Sequence, residues 1–138
     1  MKNAIIKAFR RLREALLPEP DREEIPFARE IISRFDKWVE AKGYCNPDES
    51  MQDVSLQLGI SRFELSWVSR RVYGDNFLSL RKKLRICEAE RLLIHNPEAP
   101  VSLISEMVGI NDRTNFRRQF QEVCGMSPQQ WRDTHLRT

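Results

Sequence analysis

The stretch Gly109-Ile110-Asn111-Asp112-Arg113-Thr114-Asn115-Phe116-Arg117-Arg118-Gln119-Phe120, closed by Gly125-Met126-Ser127-Pro128, decides the fold of this chain. Gly109 suits the end of one helix, Asn111 and Asp112 are residues that cap the start of another, and Pro128 suits the first turn of a third. Two helices around a tight corner follow. In the second of them Phe116, Phe120 and Val123 recur at helical spacing and predict one buried stripe, while Thr114, Arg118 and Gln121 fall on the opposite side. Such a helix has an apolar back and an arginine-rich front.

The same stretch has an earlier echo. Gly59-Ile60-Ser61 aligns with Gly109-Ile110-Asn111, preceded by Val54 and Leu58 in one copy and Ile104 and Val108 in the other. With one extra residue in the second corner, Leu65 falls on Phe116, Gly74 on Gly125, Phe77 on Pro128, and Leu80-Arg81 on Trp131-Arg132. One supersecondary unit therefore occurs twice. In the first copy Ser61 followed by Glu64 makes a capping box, and Leu65, Val68 and Val72 form the seam. Between the copies, Phe77 to Ile94 reads as one helix burying Leu80, Leu84, Ile86, Ala89, Leu92 and Leu93, and ending at His95-Asn96-Pro97. At roughly 1.5 Å per residue it spans about 27 Å.

Working outward, Asn46-Pro47-Asp48-Glu49 predicts a turn, with Ser50 placed to cap the next helix. A helix from about Pro26 carries Ile31, Ile32, Phe35, Trp38 and Val39 on one face and ends near Lys42-Gly43. Pro18-Glu19-Pro20-Asp21 breaks the chain before it, and Lys2 to Leu17 forms a basic leader helix whose Ile5, Phe9, Leu12 and Leu16 follow a coiled-coil seam. The expected organisation is a leader and linker over 1–25, a connecting helix and turn over 26–49, and a main domain over 50–138. Within that domain the first unit covers about 50–76, the long helix about 77–95 and the second unit about 100–138. The leader reads as a solvated helix, a dimer contact, or a basic segment next to a membrane.

Composition narrows the class without naming a partner. Among 138 residues, 41% are hydrophobic and 23 basic residues stand against 20 acidic ones, so the placement of charge matters more than its total. Scarce glycine and the lack of period-two β-branched runs favour an all-α fold. Cys45, Cys87 and Cys124 are an odd number at scattered spacings, against a disulfide framework or a CxxC zinc site. No apolar run is long enough to span a bilayer and no signal-peptide pattern appears, which places the chain in the cytoplasm. His95 and His135 are isolated near helix ends, so no catalysis, cofactor or metal is expected.

Leu58-Gly59-Ile60-Ser61, Arg85-Ile86 with Ala89 and Leu92-Leu93, Val108-Gly109-Ile110, Phe116, Arg118, Phe120, and Gly125-Met126-Ser127-Pro128 before Trp131-Arg132 form an ordered set. In it the chain resembles the C-terminal DNA-binding domain of the AraC/XylS family of bacterial transcription regulators, over about Ser50 to Arg132. The resemblance implies an all-α fold of two helix-turn-helix subdomains joined by a long linker helix, with additional helices N-terminal to it here. Each unit would present a recognition helix to the major groove of double-stranded DNA. Successive major-groove faces lie about 34 Å apart, so with a shorter spacer helix either both recognition helices insert and the DNA bends, at a cost on the order of 1 to 6 kcal/mol, or one unit docks fully and the other only grazes. The second recognition helix maps to Arg113 to Cys124, with Arg113, Thr114, Arg117 and Arg118 as DNA contacts, Gln121 on the outward face and Asn115 at its edge. Arg118 is the leading candidate for reading a base, because an arginine can pair bidentately with guanine O6 and N7; holding a phosphate is its other role.

The first unit departs from the family pattern. Trp67 stands where an exposed arginine is usual, and Ser69 where an apolar aromatic usually faces the core. Its candidate DNA-facing residues are Arg62, Phe63, Ser66, Trp67, Arg70 and Arg71. Phe63 and Trp67 both project to the water side on a helical wheel, which leaves a second function open: a helical protein-interaction module using that aromatic patch. Further candidate partners are RNA polymerase, a second copy through residues 2–17, and an upstream sensing domain. The family pairs this domain with such a sensor, and the residues before Ser50 are too few for one, leaving a stand-alone regulator, nucleoid-associated, or a fragment such as the cytoplasmic part of a membrane-anchored one.

Overall fold

A computed structural model of the chain describes residues 28–136. The leader helix over 2–17, the proline-acidic linker and the proposed helix start at Pro26 lie outside the described residues. Among those described, the secondary structure is helical: α1 (Ala28–Glu40), a 3-10 turn (Gly43–Cys45), α2 (Met51–Leu58), α3 (Arg62–Tyr73), α4 (Phe77–His95), α5 (Val101–Met107), α6 (Arg113–Cys124) and α7 (Pro128–Leu136). Two compact units divide the chain, one of residues 28–43 with 49–80 and one of 44–48 with 81–136. The division falls within α4, which gives its first turn to one unit and its remainder to the other.

In the first unit, α1 buries Ile31, Phe35, Trp38 and Val39, while Ile32 is only half-buried. The aromatic rings interlock: Phe35 lies 5.4 Å from Trp38 and 5.1 Å from Tyr73, and Trp38 lies 5.7 Å from Phe77, between centroids. Leu65, Val68 and Val72 complete the core from α3. The helix α1 stops at Glu40, short of the expected Lys42-Gly43, and Lys42 takes a left-handed φ of 59°.

The starts of α2 and α3 are fixed by reciprocal caps. Ser50 Oγ accepts from the Asp53 amide at 3.1 Å and Asp53 returns the favour to the Ser50 amide at 2.9 Å. Ser61 and Glu64 do the same at 3.0 and 2.8 Å, as the sequence predicts. Each box satisfies two amides that the helix ladder leaves open. Arg34 closes the other end of α2, its Nη1 donating to Leu58 O at 3.1 Å and Gly59 O at 3.0 Å. Ser69, unexpected at a core position, is wholly buried and donates its hydroxyl to Leu65 O at 2.8 Å, so the polar atom is satisfied within its own helix.

The second unit repeats the plan around a larger core. Ile86, Ala89 and Leu93 of α4 pack with Ile104, Val108, Phe116 and Phe120, and half-buried Val123 and Trp131 flank them. Phe120 sits between Phe116 at 5.8 Å and the edge of Trp131 at 6.3 Å. The Trp131 indole N–H donates to Glu90 O at 3.2 Å. Buried Arg132 reaches from α7 to the end of α4, donating to Leu93 O at 3.0 Å and Asn96 O at 3.1 Å. Arg85 ties the 44–48 segment down through Asn46 O at 2.8 Å and Tyr44 O at 2.5 Å. The corner residue Gly109 is buried at a φ of 88°, and a Cβ there would stand 2.9 Å from the Cys45 carbonyl carbon. Only glycine fits that approach.

Candidate nucleic-acid interface

The helix α6 is set by a one-residue cap. Asp112 Oδ1 accepts from the Thr114 amide at 2.9 Å and the Asn115 amide at 3.2 Å, and Gly125 closes the helix with a left-handed φ of 77°. Of the two residues proposed for the cap, Asp112 takes the role and Asn111 stays exposed. Arg113, Thr114, Arg117, Arg118 and Gln121 are all exposed; with Phe116 and Phe120 buried, helical geometry sets Thr114, Arg118 and Gln121 opposite the stripe and Arg113 and Arg117 along its flank. Three exposed arginines thus stand on one helix of 12 residues. Asn115 is half-buried, and its side-chain oxygen accepts from Arg118 Nη2 at 2.5 Å and Gln119 Nε2 at 3.1 Å.

Beside this front lies an open cleft of about 650 Å³, lined by Arg113, Thr114 and Arg117 from α6, Ser102 from α5 and Gln129 from α7. Sequence reasoning did not single out Ser102 or Gln129. Each stands just inside a helix start, at Pro100 or Pro128, and that position was the available signal.

In the first unit α3 has the same length as α6, 12 residues, with Ser61 and Gly74 as caps where α6 has Asp112 and Gly125. Arg62, Arg70 and Arg71 are exposed, and Phe63 is 71% exposed. Trp67 departs from expectation: it is half-buried, as is Ser66, so the pair of water-facing aromatics reduces to Phe63.

The thiols of Cys87 and Cys124 are held in the protonated form. Burial, then a coulombic interaction with Glu90, pushes the Cys87 thiol up to about 11. The Cys124 thiol is also pushed up, by burial first and then by its hydrogen bond to Glu90 Oε1 at 2.9 Å. Protonated thiols are poor nucleophiles and ligands. His95 Nδ1 lies 2.9 Å from Arg91 O and His135 Nδ1 2.8 Å from Trp131 O, each on its own helix. Among the described residues no group of three or more His, Cys, Asp or Glu is placed to hold a metal ion, and no helix is long and apolar enough to cross a membrane.

Two capped helix-corner-helix units, each burying one face of its second helix, define a double helix-turn-helix DNA-binding domain. A family model described as "Helix-turn-helix domain" matches residues 54–134, and the chain belongs to this AraC-type family of transcription regulators. It is 28% identical over 112 residues to the uncharacterized HTH-type transcriptional regulator YisR of Bacillus subtilis, covering 79% of this chain and 37% of YisR. It is 26% identical over 111 residues to the HTH-type transcriptional activator AarP of Providencia stuartii, covering 80% of each. Among solved structures it is similar to the C-terminal domain of AraT, a response regulator from Geobacillus stearothermophilus. There the TM-score is 0.68 and the identity 30%, over 75% of this chain and 84% of that one.

Proposed function

We propose that residues 50–138 are the DNA-reading domain of a transcription regulator in which α6 enters the major groove. The observation that carries this reading is the exposed set of Arg113, Arg117 and Arg118 on a helix whose back is fixed by Phe116 and Phe120. Arg118 and Arg113 read base edges, with Thr114 and Gln121 beside them. Arg117, with Ser102 and Gln129 across the cleft, holds a backbone phosphate. In the first unit Arg62, Arg70 and Arg71 grip phosphates, with Ser66 and Trp67 against the sugar backbone and Phe63 on thymine methyls, so this unit serves mainly as an anchor.

Double-stranded DNA is the principal partner and the cytoplasm the working compartment. The likeness to a response-regulator C-terminal domain supports an upstream regulatory domain in the full protein. RNA polymerase and a second copy joined through residues 2–17 are the further partners this reading carries. A protein-binding module built on Phe63 and Trp67 is not favoured, because the family and its named relatives are transcription regulators. Selection from random duplexes, followed by footprinting, tests the proposal. A recovered motif with a protected major-groove segment supports it, and recovery of no motif refutes it.

A further inference from the structure

The α6 front contains a contact that a simple list of outward residues hides. Asn115 Oδ1 accepts from Arg118 Nη2 at 2.5 Å and from Gln119 Nε2 at 3.1 Å, three and four positions along the helix. Asn115 and Gln119 are both half-buried, so the acceptor is itself held in place, whereas Arg118 is exposed and would otherwise sample many rotamers. We infer that Asn115 is a positioning residue, which fixes the Arg118 guanidinium for base reading instead of touching DNA itself.

The donor arithmetic supports this. A guanidinium carries five N–H groups, and Nη2 shares one two-donor edge with Nε and another with Nη1. Whichever Nη2 hydrogen Asn115 takes, the other edge stays whole. That edge can still address guanine O6 and N7 together. Fixing the group beforehand removes part of the ordering cost from the binding step. The Asn115 oxygen, already filled by two donors, has little capacity left to accept from a cytosine or adenine amino group.

The inference rests on the proposed reading role of Arg118, and a double-mutant cycle separates the two. Binding of the full chain to its selected duplex is measured for Asn115→Ala, Arg118→Ala and the double variant, together with base preference at every position of the site. Alanine is the best helix former, so Asn115→Ala keeps α6, and helicity is checked by circular dichroism. Asn115→Ala is expected to weaken binding roughly two- to tenfold and to relax preference at the same base pair that Arg118→Ala relaxes. In the Arg118→Ala background its further effect is expected to be less than roughly twofold. Gln119→Ala, which frees one side of Asn115, should relax that same base pair to a smaller degree. Additive losses, or relaxed preference at a different base pair, would show Asn115 contacting DNA directly and would overturn this inference alone. An Arg118→Ala variant with unchanged affinity and preference would overturn it together with the reading role on which it rests.

Discussion

Arg34 and Gly59 are joined across the first unit: Arg34 Nη1 lies 3.0 Å from Gly59 O and 3.1 Å from Leu58 O, closing the C-terminus of α2 with a side chain from α1. Helix C-termini leave carbonyls unmatched and carry partial negative charge, so a guanidinium there both bonds and complements the dipole. Arg34→Ala should lower stability by about 1–2 kcal/mol, discounted from the usual strength of a charged hydrogen bond because the side chain is 43% exposed. Thermal unfolding followed by circular dichroism checks it. An unchanged midpoint would mean that water replaces the arginine without loss.

Acid should weaken the α2 cap. The Asp53 carboxyl is held below the usual carboxylate range by the Ser50 backbone N–H first and the Ser50 hydroxyl second. A lowered folded-state value contributes stability that is present above the unfolded value of about 4 and disappears as pH falls through the folded one. Asp53→Asn should therefore flatten the acid limb of stability against pH between about pH 4 and the folded value. The wild-type and variant curves, measured by chemical denaturation, should converge at the acid end.

Loss of the aromatic back of α6 should be far more costly than loss of its front. Phe120 is wholly buried between Phe116 and Trp131, and Phe120→Ala should cost about 3–5 kcal/mol. By contrast Gln121→Ala, on the exposed side, should stay within about 0.5 kcal/mol. Urea titration of both variants measures the difference.

What was legible in the sequence was what neighbouring residues decide. Ser61 with Glu64, the corners at Gly59 and Gly109, and the stripe of Phe116 and Phe120 all follow from local capping, left-handed glycine and helical period. The less legible features join residues far apart or depend on side-chain choice. Arg34 on Gly59 spans 25 positions and Arg132 on Leu93 spans 39, and nothing in the local pattern marks either arginine as structural. Trp67 lay on the outward side of an ideal wheel, yet it is half-buried, because a large ring covers neighbouring surface that its backbone position does not predict. On α6 the period alone marked Arg118, the resemblance added Arg113 and Arg117, and the coupling of Asn115 to Arg118 required side-chain positions.

Salt should report the phosphate grip. Removing one phosphate-holding arginine, Arg117→Ala, should reduce the slope of log affinity against log salt by about 0.9 and weaken all duplexes alike. Filter binding from low to physiological salt, on the selected site and on an unrelated duplex, measures both effects.

The central claim, that α6 reads DNA through its arginines, is tested most directly by the affinity of the Arg113→Ala, Arg118→Ala double variant for the selected duplex at fixed salt. A loss of at least about tenfold, with flattened base preference within the protected segment, is the predicted result. Unchanged affinity and unchanged preference in a folded double variant would contradict it.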